Sequence, residues 1–166
     1  INKRTIVLSM GDMSGNFKMG GNSDPIVEYE AMCNASKAFY FVQGNHDYHN
    51  TKSDNLRNSD GTWCCVNSRV QTTLIGTIGG VNGIIATGIK PPRPELHIFD
   101  KQVYNNRLAD VLAMKPDILL THQPITWSLF LDAPRLHLYG HSHADDKSFF
   151  RPGSINCDGR ILQIQN

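Results

Sequence analysis

Seven histidines stand among the 166 residues, and most crowd into short turn-like sequences. His46 sits in Gly44-Asn45-His46-Asp47, His122 follows Thr121, and His141 and His143 flank Ser142 after Gly140. A histidine in a loop beside Gly, Asn and Asp is a poor core residue and a good metal ligand or acid–base group. Each of these sequences closes a short apolar run, and a further run closes at Gly11-Asp12. One such ending means little. Four in one small chain, rich in His and Asp, point to a metal site. Mixed imidazole and oxygen ligation suits Mn, Fe, Ni or Zn rather than Ca.

The elements that must position these residues are short. Residues 5–10 form an apolar, β-branched run, expected to be a buried strand that delivers Asp12 to its C-terminal edge. Asp24-Pro25 marks a helix start, and Ile26, Tyr29, Met32 and Cys33 continue at helical spacing to about Ser36. Ala38 to Val42 is a second buried strand, so the chain opens as a βαβ unit. His49 to Gly61 reads as an exposed excursion, and Trp63 to Ala86, broken by glycines, as antiparallel strands. A helix is expected within Ile98 to Met114, with strands at 118–121 and 136–139 and closing strands near Phe149-Phe150, Ser154-Ile155 and Arg160 to Ile164. In an α/β fold, sites form where loops converge at the carboxyl ends of strands.

Gly11-Asp12, Gly44-Asn45-His46-Asp47, His122 and Gly140-His141-Ser142-His143 occur in the order and rough spacing of the calcineurin-like metallophosphoesterases, which the chain resembles from about residue 5 to its end. The resemblance implies an α/β fold, a four-layer α-β-β-α sandwich of two mixed sheets, in a single domain over residues 1–166. It implies two divalent metal ions, with Mn favoured among Mn, Fe, Zn and Ni. Asp12 would bridge them; Asn45, His122 and His141 would complete one site, and His143 would bind the other ion. His46 would act as general acid, oriented by Asp47. The implied reaction is hydrolysis of a phosphomonoester or phosphodiester by a metal-bridging hydroxide. A bridging ligand must be anionic to hold two divalent cations roughly 3.5–4 Å apart, which suits Asp and not Asn.

The chain departs from the family in one respect. An Asp-x-His motif usually opens these folds, and the first legible strand here already ends in Gly11-Asp12. Either that strand precedes Ile1, the reading favoured because the chain starts at Ile, or the protein holds at most one well-ligated metal. A catalytically weak binding scaffold stays open as an alternative, and a nuclease as a minority reading. The presence of His46 and Asp47 favours the enzyme. A net charge of +1 with no basic cluster disfavours nucleic acid.

The other singled-out residues have plainer readings. His49 and His97 are expected at the surface, and His137, between Leu136 and Leu138, as a structural histidine. Trp63 and Trp127 are read as packing residues, and Asp145 and Asp146 as a solvated turn. Lys90-Pro91-Pro92-Arg93-Pro94 reads as a rigid connector, with a substrate-facing loop as the second reading. Four cysteines without a CxxC pair suggest reduced thiols and a cytoplasmic location. No apolar run approaches a membrane span, so no membrane partner is expected; the resemblance implies a small phosphate ester as the partner, with the oligomeric state open.

Overall fold

The computed structural model describes residues 4–14, 22–127, 133–142 and 152–157. The apolar runs become strands and the site is built at their ends. β1 (Ile6–Ser9) and β2 (Ala38–Phe41) pair in parallel, Ile6 beside Ala38 and Leu8 beside Tyr40. Between them lies α1 (Ile26–Ala35). Its start is fixed by the Asp24 carboxylate, which accepts the Ile26 amide at 3.0 Å, with Pro25 just outside the first turn.

β3 (Arg69–Thr73) and β4 (Gly76–Val81) form the expected antiparallel hairpin. β4 then pairs in parallel with β7 (Ile118–Thr121), β7 with β8 (Leu136–Tyr139), and β8 with β9 (Ser154–Asn156), giving a mixed sheet of five strands. A two-stranded parallel ladder of β5 (Ile84–Ile85) and β6 (Ile98–Phe99) flanks it. α2 (Thr51–Asn55) and α3 (Lys101–Ala113) complete the elements. The helix expected from Ile98 therefore begins later, because Ile98 and Phe99 join a ladder first.

The core explains why the runs are apolar on both faces. Tyr40 and Val42 from the β2 segment pack with Ile78, Ile118, Leu120 and Leu138 of the larger sheet. On the other side of β2, Phe39 and Phe41 meet Tyr29 of α1, with Tyr29 stacked on Phe41 at 3.9 Å between ring centres. Tyr104, Leu108 and Val111 of α3 pack on Val81 and Leu119. Each such side chain, fully buried, contributes roughly 1.5–3 kcal/mol. Gly79 and Gly80 permit this closeness: a Cβ at 79 would press on Val70 and Val111, and one at 80 on Val42 and Val66.

Two further expectations change. The His49–Gly61 segment is more than an exposed excursion: it contains α2, and Asn58, 5% exposed, accepts the Phe39 amide at 2.8 Å and donates to the Phe39 carbonyl at 3.1 Å. An asparagine amide thus substitutes for a neighbouring strand. His97 is buried rather than superficial, 3% exposed, in a left-handed turn with φ 52°. The Phe149-Phe150 and Arg160 to Ile164 strands and Asp145-Asp146 lie outside the described residues. His137 is buried as expected, with Nε2 2.8 Å from Thr121 Oγ1. Arg57 and Arg69 lie over the Trp63 ring at 3.2 and 4.6 Å, and Trp127 meets His137 edge-on, so both tryptophans pack. None of the four cysteines forms a disulfide, and the Cys33 and Cys64 sulfurs lie 3.6 Å apart.

The buried His97 has a pH consequence. Burial, with His49 at 5.8 Å between ring centres and His122 and Arg107 beyond it, pushes its pKa down to about 3. An unfolded His takes up a proton near 6.5. Between those values the unfolded chain holds the extra proton, so stability falls as pH drops through this window. The slope from this residue is about 1.4 kcal/mol per pH unit. Urea unfolding across that range is expected to lose this component in His97→Asn, which tolerates the left-handed backbone.

Candidate metal centre

β1 and β2 run parallel, as do β7 and β8, so each strand delivers its C-terminal residues to a common edge. Asp12 follows β1, Asn45 follows β2, His122 directly follows β7, and His141 follows β8. The ends of the two sheets are tied together: His122 Nδ1 lies 2.6 Å from the Met10 carbonyl, and the Gly140 amide donates to the His122 carbonyl at 3.0 Å.

That first contact sets the chemistry. A carbonyl can only accept, so Nδ1 carries the proton and Nε2 turns toward the site. There, His122 Nε2 lies 3.3 Å from Asp12 Oδ2 and 3.2 Å from Asn45 Oδ1. One ligand atom each from Asp12, His122 and His141 all lie within 4.8 Å of one another. A carboxylate oxygen, an amide oxygen and an imidazole nitrogen converge with their lone pairs inward. Such a set of acceptors needs a cation or a shared proton at its centre, and its donor types suit a transition-metal ion. His122 is 2% exposed and Asn45 3%.

In the metal-free chain the surroundings favour a proton on His122. Burial alone would lower the His122 pKa, but the Asp12 carboxylate and the Met10 carbonyl hold it above the ordinary value. For Asp12, burial pulls upward, yet His122 and the His46 amide hold the carboxyl below its usual range. A bound metal takes the place of that proton, so binding weakens as pH falls.

Backbone strain marks the same residues. Asp12 and His141 both adopt left-handed conformations, φ 55° and 62°, which non-glycine residues rarely hold without function. The glycines that precede these ligand loops divide. Gly11, at φ 94°, and Gly44 touch one another's loops: a Cβ at 11 would strike the Gly44 amide, and one at 44 the Asp12 carboxylate. Gly140 is freer, since a Cβ there would meet Met10 at 3.5 Å, an ordinary contact. At the last ligand loop it is His141, not its preceding glycine, that turns the backbone.

Asp47 is 0% exposed, and its hydrogen bonds bind the two loops. Oδ2 accepts the Asp12 amide at 2.8 Å, the Gly44 amide at 2.9 Å and the Tyr29 hydroxyl at 3.0 Å; Oδ1 accepts the Ser14 amide at 3.1 Å. The neighbour at His46 Nδ1, where Asp47 was expected, is Asn22, whose Oδ1 lies 2.9 Å away. His46 is held a second way, by its amide donating to Asp12 Oδ1 at 2.9 Å. Asp47→Asn turns an amide toward a ring of donors. It is expected to destabilise the fold by about 3 kcal/mol in urea unfolding, because a buried donor loses its charged acceptor.

His143, expected as a ligand of the second ion, lies outside the described residues. Sequence reasoning missed Asn22, Tyr29 and the Met10 carbonyl. Asn22 sits in a Gly/Asn/Ser loop with nothing to single it out, Tyr29 reads as an apolar helix position, and a carbonyl has no sequence signal. Beside the centre, a cleft of about 240 Å³ is lined by Asn22, Asn45 and His46 together with Lys90, Pro91 and Arg93. The Lys90–Pro94 segment, read as a connector, thus borders the site.

Comparison with curated proteins finds no match, and comparison with solved structures finds none either. The family profile described as calcineurin-like phosphoesterase matches residues 1–145. With most of its length matched, and with Asp12, His122 and His141 gathered where that family's chemistry needs a cation, the chain belongs to the calcineurin-like phosphoesterase family.

Proposed function

We propose that the protein hydrolyses a phosphomonoester or phosphodiester with divalent metal, Mn favoured, at a dinuclear centre, and that its layers form the four-layer α-β-β-α sandwich of its family. The observation that carries the reading is the approach of both Asp12 Oδ2 and Asn45 Oδ1 to within 3.3 Å of His122 Nε2, with His141 beside them. Asp12, Asn45, His122 and His141 would hold metal, with His143 serving a second ion. Bound there, divalent ions supply positive charge for the phosphate oxygens and activate the attacking water.

The remaining steps belong to side chains. His46 lines the cleft and faces Asn22 Oδ1 through Nδ1. As an imidazolium both its ring nitrogens donate, Nδ1 to Asn22 and Nε2 to the leaving oxygen. Giving up the Nε2 proton to that oxygen leaves the neutral tautomer that Asn22 already accepts from. Asp47 positions the machinery by holding the Asp12 and Gly44 amides in place.

The direct test is turnover of para-nitrophenyl phosphate and bis(para-nitrophenyl) phosphate with added Mn. Hydrolysis of at least one, abolished by a chelator and restored by metal, is expected. Tight metal binding with no turnover of either supports the scaffold reading in place of this one.

A further inference from the structure

The cleft beside the metal centre holds two cations that the proposed hydrolysis does not use. Lys90 and Arg93 line it together with Asn45 and His46, so a ligand in this space meets one proposed metal ligand, Asn45, the His46 imidazole and both cations at once. Among the described residues the ion pairs are His49–Asp54 and His122–Asp12, which leaves Lys90 and Arg93 without an ionic partner. Their segment is fixed by its backbone. The Thr87 amide donates to the Lys90 carbonyl at 2.8 Å and the Lys90 amide to Thr87 Oγ1 at 3.1 Å. The Arg93 amide donates to the Ile98 carbonyl at 2.8 Å, and the Ile98 amide returns a bond at 3.0 Å. Pro91, Pro92 and Pro94 stiffen what lies between. Leu96 and Ile98, 4% and 5% exposed, add apolar lining to the same cleft. Two unpaired cations on a pre-organised strap, beside apolar lining and a metal centre, form a place for a second negative charge. At about 240 Å³ the space suits a small molecule rather than a protein or duplex.

We propose that Lys90 and Arg93 form a second anion subsite, and that the substrates are small phosphate esters carrying another anionic group, phosphate or carboxylate, on a short apolar spacer. This rests on the metal-dependent hydrolase reading for its reaction, but not for its binding preference. Binding is therefore measured with non-hydrolysable probes on the metal-loaded chain: propylphosphonate, trimethylene bisphosphonate and phosphonobutyrate. The doubly charged probes are expected to bind about tenfold or more tightly than propylphosphonate, as two charge-assisted contacts allow. A gain with both makes the subsite a general anion site; a gain with the bisphosphonate alone makes it a phosphate site. In Lys90→Gln/Arg93→Gln the preference is expected to collapse. It should survive in Lys115→Gln/Arg135→Gln, which removes the same charges from a separate cleft. Equal binding of all three probes, or a preference that outlives the Lys90/Arg93 change, overturns the subsite. Loss of turnover on every ester with the preference intact would count against hydrolysis and leave the subsite standing. On esters, the ratio of kcat/KM for trimethylene bisphosphate over propyl phosphate is expected to fall about tenfold in the same variant.

Discussion

Asp12→Asn is expected to lower metal-dependent turnover by about a thousandfold or more, equivalent to about 4 kcal/mol of barrier, and to release metal from the folded chain. The substitution is chosen to leave the fold alone. Asn tolerates the left-handed backbone at φ 55°, and its amide oxygen can still accept the His46 amide that now donates to Oδ1. What disappears is the negative charge facing His122 Nε2 at 3.3 Å. That charge is the feature which makes a cluster of neutral acceptors bind a cation. Metal content by atomic absorption and turnover of para-nitrophenyl phosphate should fall together, with the urea midpoint little changed. Full metal content with full turnover would remove Asp12 from the centre.

His46→Ala separates the two halves of the site. Turnover is expected to fall about a hundred- to a thousandfold, within the range of a lost general acid, while metal content stays at the wild-type level. The imidazole contributes no atom to the gathered ligand set of Asp12, His122 and His141, and the backbone amide that supports Asp12 survives the change. Asn22→Ala, which removes the partner of Nδ1, should move in the same direction by a smaller factor. Wild-type turnover in His46→Ala would leave the reaction without its proposed acid.

These two residues also show how far the sequence carries. Asp12 and His46 were legible because each closes an apolar run, and a strand that ends in a polar ligand is a local pattern. The placement of four such endings on one edge follows from parallel pairing, which βαβ periodicity already suggested. The role of Asp47 was not legible in the same way. Its neighbour His46 is adjacent in sequence, yet the carboxylate reaches the Asp12 and Ser14 amides and the Tyr29 hydroxyl, which lie far away along the chain. Only the close approach of the Gly11 and Gly44 loops brings those groups together. His97 failed for a related reason. It follows a run of three prolines and an arginine that looks exposed, but its left-handed turn folds the ring inward beside His49 and Phe99. The same turn brings Lys90 and Arg93 to the cleft, so a segment read as a connector borders the site instead. Periodicity reports which face of an element is apolar; it does not report which loop folds over which.

The central claim is that one cation sits among Asp12, Asn45, His122 and His141, and anomalous X-ray diffraction at the Mn absorption edge, from crystals grown with Mn, tests it most directly. A peak is expected within about 2.3 Å of an Asp12 carboxylate oxygen and of His122 Nε2, as first-row metal–ligand bonds require. A second peak, near His143, would mark the dinuclear centre. Crystals of an enzyme active with Mn that show no peak between Asp12 and His122, or show it elsewhere, would contradict the account.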